Sequence, residues 1–129
     1  MLLNLNVKNF ALISDVKIDF GEGMNIITGE TGAGKSILIG ALGLVLGKRA
    51  DTNSLRNNQK KCIIEAEFDI KNYHLNSFFE AHDLDYENQT IFRREINPAG
   101  KSRSFINDTP VTLKILQELG SKLIEIHSQ

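Results

Sequence analysis

The chain has 129 residues, 41% hydrophobic and 24% charged, with a formal net charge of −1. These values fit one globular domain and argue against a disordered chain, and the sequence has no apolar run of the roughly 18–20 residues that a membrane-spanning helix needs. A lone cysteine, Cys62, has no partner for an internal disulfide, and Met1–Asn6 lack the basic flank and apolar centre of a signal peptide, so a cytoplasmic protein is expected.

In chain order, Leu3, Leu5 and Val7 alternate with Asn4, Asn6 and Lys8, and Val16, Ile18 and Phe20 alternate with Asp15, Lys17 and Asp19. Period-two patterning of this kind predicts half-buried strands. Gly21-Glu22-Gly23 reads as a turn, and Met24–Thr28 as a short apolar strand suited to a deeper place in a sheet. After Ser36, the run Ile37–Leu46 predicts a buried helix that stops at Gly47. Gly40 and Gly43 each weaken that helix by up to about 1 kcal/mol, which close packing against a neighbour would offset. Residues 48–61 read as a polar, basic loop. Ile64, Ala66, Phe68 and Ile70 set against Glu65, Glu67 and Asp69 predict a further strand, and Tyr73–His82 a short helix. Thr90–Ile96 and Ser102–Asn107 flank Asn97-Pro98-Ala99-Gly100-Lys101, a hairpin signal. Thr112 is a candidate N-cap for a helix over Leu113–Leu119, with Val111 stapling against Leu116 and Gly120 as the stop. Leu123-Ile124-Glu125-Ile126 reads as a closing apolar strand.

One segment carries chemistry directly. Gly29-Glu30-Thr31-Gly32-Ala33-Gly34-Lys35-Ser36 fits G-x-x-x-x-G-K-[ST], between an expected strand and an expected helix. Glycines let the backbone bend so that successive N–H groups face a common centre, where they form an anion nest. The helix start adds roughly half a positive charge. Lys35 supplies a full charge to the β- and γ-phosphates, and the Ser36 hydroxyl suits Mg²⁺. ATP with Mg²⁺ is the expected ligand.

Hydrolysis needs more than this cradle. An acidic residue at the end of an apolar strand usually holds the metal, and another group orients the water. After Ser36 there is no run of four apolar residues ending in Asp or Glu, no ABC-type signature, and no Asn-Lys-x-Asp guanine motif. Half of a catalytic site is therefore expected.

Further motifs follow one another along nearly the whole chain: Asn9-Phe10-Ala11-Leu12-Ile13, Thr28–Ile39, Gly47-Lys48-Arg49-Ala50, Arg93-Arg94, Gly100-Lys101-Ser102-Arg103, Phe105-Ile106-Asn107 and Ile126-His127-Ser128-Gln129. In these the chain resembles the N-terminal head lobe of SMC-like ABC ATPases, in the branch that acts in bacterial DNA repair. The resemblance implies an α/β P-loop NTPase fold, with residues 1–129 forming an ABC/SMC-type head lobe I. That lobe combines a mixed sheet, an antiparallel β component and a P-loop helix, and the coiled coil and C-terminal lobe lie outside it. It implies ATP held by Gly29–Ser36, catalytic roles for Lys35 and Gln129, and Mg²⁺ reached by Ser36 and Gln129. Arg56 is implied in nucleotide or DNA contact, and Asn9 lies near where the first hairpin approaches the base. Implied partners are DNA, the C-terminal lobe and a second head in an ATP-sandwiching homodimer, with no membrane, in a nucleoid-associated cytoplasmic protein. Two positions depart from the family pattern. Ser128 and Asp108 each stand where glycine is usual, the second mildly because Asp tolerates φ > 0.

Truncation of a longer ATPase accounts for the missing half, and this chain alone is expected to bind nucleotide weakly and hydrolyse it negligibly. Two alternatives stay open: a P-loop small-molecule kinase and a non-hydrolytic DNA-tethering module. Lys48, Arg49, Arg56, Lys60 and Lys61, together with Arg93, Arg94, Lys101 and Arg103, would form a phosphate-backbone patch if the two segments share a face, and are otherwise solvated loop charges. Cys62 reads as a small apolar filler, the Glu80–Glu87 acidic cluster as a solvated connection, and His127 as a strand-end residue.

Overall fold

In the computed structural model, residues 1–20, 32–50, 55–57 and 59–127 are described. The alternating segments become strands β1 (Leu2–Phe10), β2 (Ile13–Asp19), β3 (Cys62–Asp69), β4 (Gln89–Ile96), β5 (Ser102–Ile106) and β6 (Thr109–Val111). They form a six-stranded sheet in the order β2-β1-β3-β4-β5-β6, and every described neighbour pair is antiparallel. The expected turn at Gly21–Gly23 and the strand at Met24–Thr28 lie outside the described residues.

Paired residues share a face of the sheet, so the register sorts the side chains. Val7 pairs with Val16 and Ile64, Ile64 with Arg94, and Arg94 with Ser104. Leu5, Ala66, Phe92 and Ile106 line up one step away on the same face. Each of these four is at most 1% exposed, and burial of each large apolar side chain contributes about 1.5–3 kcal/mol. Phe68 and Phe92 meet at 5.3 Å between ring centroids.

Helices α1 (Gly32–Val45) and α3 (Leu113–His127) contact the sheet, and α2 (Asn76–Ala81), shorter than the expected Tyr73–His82, inserts Phe79 into the core. The end of α1 matches its sequence signal. Gly47 has φ 115°, its N–H donates to the Leu44 carbonyl at 3.1 Å, and the Lys48 N–H donates to Gly43 at 3.0 Å. That is a Schellman cap, which needs a left-handed residue where glycine has no Cβ penalty.

α3 corrects two expectations. Thr112 caps it as expected, its Oγ1 accepting the Ile115 N–H at 3.2 Å. Gly120 does not stop it, however, and Leu123–Ile126 continue the helix rather than form a strand. Leu116, Leu119 and Leu123 are buried at helical spacing. Gly120 serves close approach instead: a Cβ there would collide with the Leu46 carbonyl oxygen. Gln117 adds a hydrogen bond from Nε2 to the Gly47 carbonyl at 2.8 Å.

Both hairpins beyond β4 turn as their residues dictate. Asn97 closes the first, its N–H donating to the Lys101 carbonyl and its Oδ1 accepting from Ala99 and Lys101. Asn107 and Asp108 form the second, with φ 48° and 66°, the type I′ pattern. Asp108 thus takes up the conformation expected of a glycine substitute. Among the described residues, no helix is long and apolar enough to cross a membrane.

Candidate functional site

Gly29, Glu30, Thr31, Ser128 and Gln129 lie outside the described residues. Gly32, Ala33, Gly34 and Lys35 form the first turn of α1, which begins inside the phosphate motif rather than at Ser36 as the sequence pattern suggested. Ser36 follows, exposed. The first N–H groups of a helix have no intrahelical acceptor and collect the positive end of its dipole. No acidic side chain sits in that turn to compete with an incoming anion. Amides and the Ser36 hydroxyl at one helix start are donors of the kind that fit a polyphosphate and its cation, in a turn whose sequence also holds Lys35. Among the described residues, no group of three or more His, Cys, Asp or Glu side chains gathers to hold a metal. The described portion therefore offers a cation the Ser36 hydroxyl and no carboxylate cage.

The opposite end of α1 is fixed by a residue that sequence reasoning assigned to the surface. Arg94 is 1% exposed. Its Nη1 donates to the Leu44 and Lys48 carbonyls at 2.7 and 2.6 Å, and its Nε to Ser102 Oγ at 2.6 Å. A cation at a helix C-terminus faces the negative end of the dipole. Burial pulls the guanidinium pKa down, while the neighbouring Cys62 acts in the other direction. The only signal in the sequence was its position: counted along β4, Arg94 falls on the inward phase with Phe92 and Ile96.

Asn9 and Arg56 are brought close together by the end of β1. Asn9 is 8% exposed, with φ 55°. Its side chain bonds the backbone of Asn57 and Lys60, while Phe10 forms a bridge with Leu55. Arg56 lies between these two anchors and is exposed.

The basic segments share one end of the sheet. Lys8 pairs with Ile63, Cys62 with Ile96, and Ile96 with Ser102, so residues 59–61 and the Asn97–Lys101 turn lie at the same end of the sheet. A cleft of about 140 Å³ is lined by Lys61, Glu95, Asn97, Lys101 and Arg103. Lys61 pairs with Glu95 at 3.5 Å. Arg93 and Arg94 do not join this patch. Arg94 is buried, and Arg93 lies 4.2 Å over the Phe105 ring and pairs with Asp108 at 2.8 Å and Glu95 at 3.3 Å. The other end of the sheet is acidic, with Glu67, Glu87 and Asp108 around a cleft of about 580 Å³. Among the described residues, the two ends of the sheet thus present different charges.

Comparison with known proteins places this geometry. A family model described as an AAA domain matches residues 4–129. The DNA repair protein RecN of Xylella fastidiosa is 42% identical over 130 residues, covering 100% of this chain and 23% of that protein. RecN of Haemophilus influenzae is 43% identical over 133 residues, covering 100% and 24%. The chain spans about a quarter of the length of these curated relatives. A solved structure from work on ATP-driven dimerization and DNA-stimulated activation of SMC ATPases superposes with a TM-score of 0.75. It is 19% identical and covers 95% of this chain and 79% of its own, a likeness of fold. By its fold, its phosphate motif and its match over residues 4–129, the chain belongs to the AAA domain family, with a fold like that of an SMC ATPase structure and similarity to RecN along its whole length.

Proposed function

We propose that this lobe binds ATP with Mg²⁺ as half of an SMC-like ATPase acting in DNA double-strand break repair and recombination. The start of α1 within Gly29–Ser36 carries the reading, because it aims a helix dipole and free amides where the motif places Lys35 and Ser36. Gly29–Ser36 would cradle the phosphates, Ser36 would ligate the metal, and Gln129 would reach the metal and the water. When bound, Mg²⁺ neutralises charge between the β- and γ-phosphates. Lys35 offsets negative charge on the same groups. A C-terminal lobe and a second head would complete the site, so that nucleotide favours an engaged homodimer and hydrolysis releases it.

DNA is the proposed macromolecular partner, and the cationic end of the sheet supports this. Lys101, Arg103 and Arg56 are exposed there, and a duplex would meet them through its phosphates rather than its bases. Similarity to repair proteins over the whole chain disfavours both the kinase and the passive-tether alternatives. The proposed setting is the bacterial cytoplasm, at the nucleoid.

Isothermal titration of an ATP analogue into the protein and into Lys35→Ala tests the central claim. Losing a charged contact to phosphate weakens binding roughly 10- to 100-fold. Equal affinity in the two proteins rules out the phosphate-loop assignment.

A further inference from the structure

Asn9 occupies a left-handed backbone conformation at the end of β1, φ 55°, which asparagine tolerates better than most residues. Its side chain is committed there. Nδ2 donates to the carbonyls of Asn57 and Lys60, both at 2.9 Å, and more distantly to Lys61 at 3.5 Å. Oδ1 accepts the Asn57 N–H at 2.6 Å. Both amide hydrogens are therefore spent on loop carbonyls. One residue on, Phe10 bridges to Leu55, and its ring lies 3.7 Å from where a Cβ on Gly40 of α1 would stand. Arg56 sits between the two anchored residues, Leu55 and Asn57.

We propose that Asn9 is a positioning residue, whose amide clamps the loop backbone at Asn57, Lys60 and Lys61 and so fixes the place from which the Arg56 side chain reaches its phosphate. The functional part rests on the reading of Arg56 as a phosphate contact made above. It replaces a direct contact between Asn9 and a nucleotide base.

Two substitutions separate the possibilities. Asn9→Asp keeps shape, left-handed tolerance and the acceptor for the Asn57 N–H, but turns an oxygen toward carbonyl oxygens. Asn9→Gly keeps the backbone conformation and removes every side-chain bond, so it serves if the aspartate variant folds poorly. Limited trypsin digestion of the intact protein, read by mass spectrometry, reports cleavage after Arg56, Lys60 and Lys61. Release of the clamp raises the open population, and cleavage there should accelerate roughly ten-fold or more, the factor that follows from orphaning one such bond. Anisotropy with a fluorescein-labelled duplex, in the presence of an ATP analogue, then compares Arg56→Ala in the parent and in the Asn9 variants.

If Asn9 acts through Arg56, the two losses overlap, and Arg56→Ala changes duplex binding less than about two-fold once the clamp is gone. Unchanged cleavage in both Asn9 variants overturns the proposal, as do fully additive losses or weakened analogue binding without DNA in an Arg56→Ala background. Accelerated cleavage alongside an Arg56→Ala variant that binds duplex as the parent does leaves the clamp standing. In that case only the reading of Arg56 falls.

Discussion

Replacing Arg94 by methionine tests whether the far end of α1 is held by a buried cation. The guanidinium makes hydrogen bonds to two α1-end carbonyls and to Ser102, and none of the described ion pairs includes it. Its counter-charge is thus the carbonyl end of the helix. Methionine fills much of the space but donates nothing. Hydrogen bonds from a charged donor contribute roughly 1.5–3 kcal/mol each, which sets the scale of the loss. The loss is incomplete, because the Leu44 carbonyl also accepts the Gly47 N–H at 3.1 Å. Opposing it is the desolvation penalty of a buried charge, several kcal/mol, which methionine abolishes. The lowered pKa of Arg94 is the mark of that penalty. The balance comes to a net destabilisation of about 2–3 kcal/mol. For a domain of this size it lowers Tm by roughly 6–15 °C. Urea unfolding followed by circular dichroism should show a lower midpoint with an unchanged m value. Arg94→Lys keeps the charge without the planar fork and should fall between the two. If Arg94→Met equals or exceeds the parent in stability, the guanidinium is only tolerated and the electrostatic account is wrong.

Two glycines should respond in opposite directions to alanine. At Gly40 the new Cβ meets Phe10 at an ordinary 3.7 Å, so Gly40→Ala should gain about 0.5–1 kcal/mol in helix propensity; at Gly120 it would collide with the Leu46 carbonyl, so Gly120→Ala should lose stability despite the same propensity gain. Thermal melts of both variants check the pair, and a stabilised Gly120→Ala would disprove the close approach. Burial raises the Cys62 thiol from its ordinary 9.0 to about 11, against a smaller opposing effect of Arg94. The folded pKa is the higher one, so the thiol's contribution is complete below pH 9 and is lost as pH climbs from 9 to 11. Unfolding free energy should fall across that window, and Cys62→Ala should flatten the fall. Duplex binding should weaken with salt, and replacing Lys101 and Arg103 together by glutamine should reduce the slope of log K against log salt by about 1–2. An unaltered slope places the duplex elsewhere.

The fold was legible where one residue's neighbours in sequence decide its environment. β1, β2 and β3 announce themselves by alternation, β4 and β5 by the turn residues between them, Thr112 by its capping hydroxyl, and Gly47 by ending an apolar run. The errors fall where a partner distant in sequence decides. Leu123–Ile126 is too short an apolar run to separate strand from helix without Leu116 and Leu119 on the same buried face. Gly120 looks like a terminator unless the Leu46 carbonyl beneath it is known. β6 hides behind a type I′ turn without glycine and contains Pro110, which an edge strand accommodates. The site divides in the same way. The Gly29–Ser36 proposal rests on a local string, whereas the one local sign that Arg94 is buried and Arg93 is not, its strand phase with Phe92 and Ile96, is overridden by its charge. Asn9 carried only a family resemblance, and its hydrogen bonds to Asn57 and Lys60 span 48 and 51 residues of sequence.

The two ends of α1 are built for different purposes. The N-terminal end presents its first turn with no carboxylate of its own, and the C-terminal end is bound by the Gly47 cap, by Gln117 from α3 and by Arg94. At 1.5 Å per residue, 14 helical residues separate those ends by about 20 Å. A dipole stabilises an anion only as far as the helix resists displacement, so fastening the far end would favour the proposed anion site at the near end. Arg94 also bonds Ser102, at the base of the hairpin that presents Lys101 and Arg103. The proposed phosphate cradle and the cationic end of the sheet are therefore joined through one helix and one buried guanidinium. If the lobe binds nucleotide and DNA as proposed, α1 with Arg94, and the Arg56 loop that Asn9 holds, are the described elements that connect the two.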